Sequence, residues 1–228
     1  MAGVSTTIGN KITILLEMIK FKLTIFALPF ALIGAFLAAG GAPAPVTLIL
    51  VILAMAGART AAMGFNRIVD RQLDAANPRT AKRAIPAGEV SLVEAWVIVV
   101  GASLLFFIAC YFLNVLTLAL SPVALLLSFG YSFTKRFTSF CHLVLGLALA
   151  FSPLGGWVAV QGTLTGYPWF LSLGVLFWVA GFDTIYGSLD TDFDKQQGLY
   201  SLPARYGSAV ALHSHTATGT GSFHAQWQ

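Results

Sequence analysis

Charge is the scarcest commodity in this chain of 228 residues: 13 Lys and Arg, 9 Asp and Glu, 10% in all. A soluble domain carries roughly 25%. With so little charge, a water-soluble fold could not cover its surface, so a soluble enzyme is excluded. Disorder is excluded by the same composition, because disordered chains are charge-rich and poor in aromatics. Here there are 18 Phe, 6 Tyr and 5 Trp. Cysteine is also sparse. Cys110 and Cys141 fall in separate apolar stretches, which supports no disulfide framework and leaves two ordinary thiols.

Long apolar runs are what the chain has instead. A membrane helix needs about 20 mostly apolar residues. Leu23–Gly41 and Val46–Phe65 are two such runs, the second interrupted by Arg59. Ala95–Thr134 has no formal charge and is too long for one span. It divides at Asn114 into Leu92–Leu113 and Val115–Phe133. The uncharged stretch Phe137–Phe182 divides at Gly162–Pro168 into Leu143–Val160 and Trp169–Ile185. The expected fold is an all-α polytopic bundle of six membrane helices. The lysines before the first run do not mark a cleaved signal peptide, since the run is too long and five more follow.

All 13 basic residues lie before the first span, in or after the second, or after the fourth and sixth. The connections near Ala42–Pro45, Asn114 and Gly162–Tyr167 carry no charge. Basic loops stay cytoplasmic. Both termini and the loops after spans 2, 4 and 6 are therefore expected in the cytoplasm.

The acids are patterned too. Asn66, Asp70 and Asp74 are spaced by four, hence on one face if helix 2 continues past the membrane. Asp183, Asp190 and Asp194 repeat the arrangement at the end of span 6, with Asp192 pointing elsewhere. Each cluster is followed by bases, a proline and a glycine: Arg79, Lys82, Arg83, Pro86 and Gly88, then Lys195, Pro203, Arg205 and Gly207. The two form a weak internal repeat. In a bundle they can oppose one another at one depth. Carboxylate and amide oxygens with no His or Cys beside them select Mg²⁺ or Mn²⁺ over zinc. Mg²⁺ is held by few carboxylates plus substrate phosphates, and the bases suit the remaining phosphate charge. The pattern describes a Mg²⁺–diphosphate site at the cytoplasmic membrane surface. The bland alternative is a set of solvated juxtamembrane charges, which two clusters on helical spacing disfavour.

Arg59 lies seven residues before Asn66, on the same face and about 10 Å deeper. It either meets an anionic substrate group or pairs with an acid of another helix. Tyr186 shares a helix with Asp183 and is either a substrate contact or an interfacial tyrosine. His142 reads as a satisfied interfacial residue. A transporter would place its charges near the midplane, which this chain does not.

At these residues the chain resembles the UbiA superfamily of intramembrane prenyltransferases. The first family motif stands here as Asn66-Arg67-x-x-Asp70-x-x-x-Asp74, with Arg67 at the usual second acidic position. The second stands as Asp183, Tyr186, Asp190 and Asp194. Asn77-Pro78-Arg79-Thr80-x-x-Arg83-x-x-Pro86-x-Gly88 and Gly198-x-x-Ser201-x-Pro203 also look like the family. The Asn-Arg form is similar to a prokaryotic 4-hydroxybenzoate polyprenyltransferase-like subgroup, some of whose members serve menaquinone synthesis.

The resemblance implies transfer of a polyprenyl group from its diphosphate to an aromatic acceptor in quinone biosynthesis, 4-hydroxybenzoate or a naphthoate. It implies Mg²⁺ held by Asn66, Asp70, Asp74, Asp183, Asp190 and Asp194. Asp70, Asp190 and Tyr186 are the candidate catalytic residues, and Arg59, Arg71, Arg83, Lys195 and Ser201 the candidate substrate contacts. The expected setting is the bacterial inner membrane, with the site and both termini cytoplasmic, no nucleic acid, and no obligatory protein partner. The family bundle has nine helices, so residues 1–207 read as an incomplete membrane domain. Residues 208–228 read as a polar tail, disordered or left by a frameshift, in which the His213-x-His215 pair carries no metal site.

Overall fold

The computed structural model describes residues 8–166 and 168–207. Every regular element among them is helical. In chain order these are α1 (Ile8–Met18), α2 (Phe21–Ala39), α3 (Pro45–Val69), α4 (Arg71–Ala76), α5 (Leu92–Leu113), α6 (Val115–Thr134), α7 (Cys141–Gln161), α8 (Pro168–Gly187), α9 (Thr191–Gln196) and α10 (Leu202–Tyr206). A 3₁₀ turn, Ser188–Asp190, joins α8 to α9. The expected tail, residues 208–228, lies outside the described residues.

The expected division at Asn114 is present, and Asn114 itself makes it. Its backbone is extended, which ends α5. Its side-chain oxygen accepts from Thr117 N at 2.8 Å, capping α6. Its amide nitrogen donates to the Val158 and Ala159 carbonyls of α7, at 2.8 and 3.2 Å. At the opposite face, Ser91 and Glu94 form a reciprocal capping box that starts α5.

Five helices, α3, α5, α6, α7 and α8 with its extension to Gln196, are long and apolar enough to cross a membrane by length and composition. The first of the six expected spans, Leu23–Gly41, corresponds to α2, 19 residues that are apolar apart from Lys22 and Thr24. Lys20 and Lys22 stand at its start. Of the short helices, α4 and α9 continue the ends of α3 and α8 as the spacing of the acids expects, and α1 and α10 are additional to the expected spans.

Small residues let the helices approach, as membrane packing requires. A Cβ on Gly34 of α2 would overlap the Pro153 carbonyl of α7, and one on Gly156 of α7 would overlap the Ala31 carbonyl of α2. Gly57 of α3 lies against the backbone of Ala102 and Phe106 of α5. Gly146 of α7 lies against the Leu176 carbonyl of α8. Residues of α2, α3, α5, α6 and α7 line an internal space, and the ends of α3 and α8 border a second one.

Candidate active site

α3 stops at Val69, and Asp70 sits at the break with φ −90° and ψ 3°. The break does not disturb the register. Asp70 N donates to Asn66 O at 2.9 Å and Asp74 N to Asp70 O at 2.7 Å, so the four-residue ladder continues into α4. Asn66, Asp70 and Asp74 therefore face one way, as their spacing predicts. The second cluster reaches the same place differently. Asp183 belongs to α8, Asp190 to the 3₁₀ turn and Asp194 to α9. All six residues line one polar cavity of about 330 Å³. Asp192 is exposed and outside it, as expected.

Inside the cavity four of the five carboxylates already have a hydrogen-bonding or ionic partner. Asp70, nearly buried, accepts from Lys135 Nζ at 3.0 Å, and Arg136 Nη2 stands 3.5 Å away. Asn66 Nδ2 donates to Asp70 Oδ2 at 3.1 Å and to Ser132 Oγ at 3.3 Å. Asp74, also buried, is bound by Arg83 Nη1 at 2.6 Å. Its other oxygen is buried, accepts no hydrogen bond, and has Arg67 Nη1 at 3.7 Å. Asp190 takes a two-pronged contact from Arg79 and a third bond from Asn77 Nδ2 at 3.0 Å. Arg79 Nη1 also donates to the Tyr186 hydroxyl at 3.1 Å, with its guanidinium 5.3 Å from the ring centre. The hydrogen bond to Asp190 raises Arg79 above the ordinary arginine value, fixing its charge. Asp194 shares the cavity wall with Ser201.

His142 departs from the expectation of a satisfied interfacial residue. It is buried at the start of α7, with Nδ1 2.8 Å from Asp183 Oδ2. Its other ring nitrogen is buried without a hydrogen-bond partner.

Of the expected substrate contacts, Arg59, Arg83 and Ser201 line the cavity, whereas Arg71 and Lys195 do not. Arg71 donates to the Ile68 carbonyl at 2.9 Å, which holds it back along the end of α3. Lys195 is exposed. The bases that do face the cavity include Arg79, Lys135 and Lys20, which sequence spacing alone did not select. Lys20 adopts φ 52°, the left-handed conformation, at the elbow between α1 and α2. The elbow is tied to the site, since Arg67 Nε donates to the Met18 carbonyl at 3.4 Å.

Beneath the polar cavity lies an apolar chamber of about 130 Å³. Its wall is mostly small and aliphatic: Ala54 and Ala58 of α3, Ala124 of α6, Gly155 and Ala159 of α7. Arg59, Tyr131, Leu145 and Leu149 border both spaces. Arg59 Nε is buried without a hydrogen-bond partner. The depth expected for Arg59 thus places it at the threshold between charged and apolar space.

Magnesium is the metal that the acidic pattern implies, and the donor set fits it. The donors are oxygens, and one carboxylate oxygen of Asp74 is buried and accepts no hydrogen bond. The six expected ligands share a cavity without converging. Among the described residues no three Asp, Glu, His or Cys side chains form a ready-made metal cluster.

Known proteins carry the same architecture. The sequence pattern of the UbiA prenyltransferase family matches residues 27–224. A 4-hydroxybenzoate octaprenyltransferase of Nitrosomonas eutropha is 36% identical over 174 residues, which cover 76% of this chain and 61% of that protein. The protein of that name from Vibrio cholerae is 37% identical over 171 residues, 75% and 60% of the two chains. The chain thus spans about three-fifths of the length of these curated relatives. Among solved structures, the apo UbiA homolog from Aeropyrum pernix matches with TM-score 0.81 and 40% identity, covering 86% of this chain and 74% of that one. A UbiA homolog from Archaeoglobus fulgidus bound to DMAPP and Mg²⁺ shares the fold at TM-score 0.72 and 20% identity, covering 90% and 73%. With its two acidic helix ends in one cavity and most of its length inside the family pattern, this chain belongs to the UbiA prenyltransferase family.

Proposed function

We propose that this chain carries the site for Mg²⁺-dependent transfer of a polyprenyl group from polyprenyl diphosphate to an aromatic acid such as 4-hydroxybenzoate, in quinone biosynthesis. Family membership and the apolar helices make it an integral membrane protein. The observation that carries the reading is the stacking of a polar cavity, rich in carboxylates and bases, on an apolar chamber with Arg59 at their junction. The names of the curated relatives and the DMAPP and Mg²⁺ bound by the Archaeoglobus fulgidus homolog support it. We place the cavity on the cytoplasmic side of a bacterial inner membrane, because every lysine and arginine of the chain except Arg59 falls at that end of the bundle.

The residues divide the work by depth. Asn66, Asp70, Asp74, Asp183, Asp190 and Asp194 would hold the cation, which supplies charge neutralisation to the departing diphosphate. Arg79, Arg83 and Lys135 face the same cavity and offer donors to the diphosphate oxygens. Ser201, also in this wall, adds a hydroxyl. The small-residue chamber receives the apolar tail and keeps water from the allylic carbon. Arg59, with a buried and unsatisfied Nε at the threshold, meets the acceptor carboxylate and orients the ring toward that carbon. Tyr186, through Arg79, and Tyr131 complete the wall. Arg71 and Lys195, outside the cavity, have no part in this scheme.

Membranes containing the chain, given labelled polyprenyl diphosphate, Mg²⁺ and a panel of aromatic acids, should form a prenylated acid. No product, with a full-length relative active alongside, would refute catalysis by this chain.

A further inference from the structure

We infer that Arg79 makes the site selective for a metal–diphosphate complex over the bare cation, by occupying Asp190 until a diphosphate arrives to take the arginine. The inference rests on the proposed diphosphate site and adds an order of events to it.

Both oxygens of Asp190 are spoken for. Oδ1 accepts from Arg79 Nε at 2.8 Å and from Asn77 Nδ2 at 3.0 Å. Oδ2 accepts from Arg79 Nη2. Three of the roughly four lone-pair sites of the Asp190 carboxylate are thus taken, and the guanidinium charge beside the remaining one repels a divalent cation. The same guanidinium donates to Tyr186, so one side chain holds two of the expected catalytic residues. Arg79 is anchored at its base as well. Its backbone N–H donates to Asn77 Oδ1 at 2.9 Å while the Asn77 amide donates to Asp190, so the turn and the carboxylate are one unit.

The side chain is nonetheless able to move. Arg79 is about one-third exposed, in the connection between α4 and α5, whereas its partner Asp190 is the more shielded. Arg83 also pairs with Asp74 and Lys135 with Asp70, and the cavity lining holds six Lys and Arg against five Asp, so it has no spare negative charge. A lone cation entering it gains no net counter-charge and must displace an arginine with nowhere else to bind. A diphosphate supplies the oxygens that Arg79 would otherwise lose. Arginine and cation then exchange places on the anion and the carboxylate together. Of the three bases, Arg79 alone grips both oxygens of its acid, which singles it out as the residue that sets this order.

The test measures Mn²⁺ binding to the purified chain in lipid nanodiscs, with and without inorganic diphosphate, separating protein-bound metal before electron paramagnetic resonance. The wild-type chain should bind Mn²⁺ alone at least about tenfold more weakly than with diphosphate, the scale of one lost bidentate pair. Arg79→Gln should bind Mn²⁺ alone about tenfold more tightly than wild type, and Arg79→Gln with Asp190→Asn should lose that gain. If Arg79→Gln does not fold, Arg79→Lys, which cannot span both oxygens, should give a smaller gain in the same direction. Unchanged affinity for Mn²⁺ alone in the folded variant overturns the role of Arg79, with Asp190→Asn still weakening binding in diphosphate. If Asp70→Asn and Asp190→Asn alter neither state, the metal–diphosphate site itself is wrong and both readings fall.

Discussion

His142 and Asp183 join α7 to α8 through a 2.8 Å contact between Nδ1 and Oδ2, and the ring packs against Gly187 one turn further along α8. A Cβ on Gly187 would stand 2.8 Å from His142 Cε1. Glycine here is a matter of space, because only hydrogen leaves room for the imidazole that holds Asp183. Gly187→Ala should therefore reduce turnover through Asp183. His142→Ala, which removes the buried partner outright, should also lower the unfolding free energy by about 1–3 kcal/mol. Thermal unfolding beside initial rates separates the two effects.

The acidic residues should be indispensable to rate. Asp70→Asn and Asp190→Asn preserve shape but remove the charge facing the cation, and each should lower turnover by at least about 10²-fold. Asp192→Asn, exposed and outside the cavity, should stay within about twofold of wild type, since surface changes of this kind shift energies by under about 0.5 kcal/mol. Equal rates in all three variants would contradict the assignment of the cavity.

Arg59 should distinguish the two substrates. Replacing it by Leu removes a charged donor from the threshold but leaves the bases of the polar cavity in place. The KM for the aromatic acid should rise by about 10- to 100-fold, the value of about 1.5–3 kcal/mol for a hydrogen bond to a charged group. The KM for the prenyl diphosphate should change little. The opposite split would place Arg59 on the diphosphate.

Packing of α2 on α7 can be tested without touching the chemistry. Gly156→Ala puts a methyl group into the Ala31 carbonyl and should destabilise the bundle by about 1–3 kcal/mol. Gly155→Ala, its neighbour with nothing within 4 Å of the added carbon, should unfold like the wild type.

The parts of this architecture written in local pattern were legible in the sequence. The helix break at Asn114 follows from one polar residue in a long apolar run, and the residue performs the capping its type predicts. The four-residue spacing of Asn66, Asp70 and Asp74 survives the end of α3 because the hydrogen-bond ladder continues through Asp70. The partners of these acids were not legible. Asn77 and Asp190 are 113 residues apart, and His142 and Asp183 are 41 apart on different helices. No spacing rule reports a contact made by the folding of the whole bundle. Charge type alone offered Arg71 and Lys195 as readily as Arg79 and Lys135. Only the direction in which each helix ends separates those that face the cavity from those that do not. A buried, unsatisfied ring nitrogen such as that of His142 likewise has no sequence signature.

The single-residue connection at Asn114 also works as an angular setting. Its amide grips the last turn of α7 while its backbone begins α6, so it fixes the rotational phase of α6 about its own axis. Each residue advances a helix by about 100°. One residue inserted after Asn114 would swing Tyr131 and Ser132 away from the cavity they now border and carry lipid-facing positions inward, with every other helix left where it was. The far end of the bundle, which holds none of the acidic residues, thereby governs which side chains the end with the polar cavity presents.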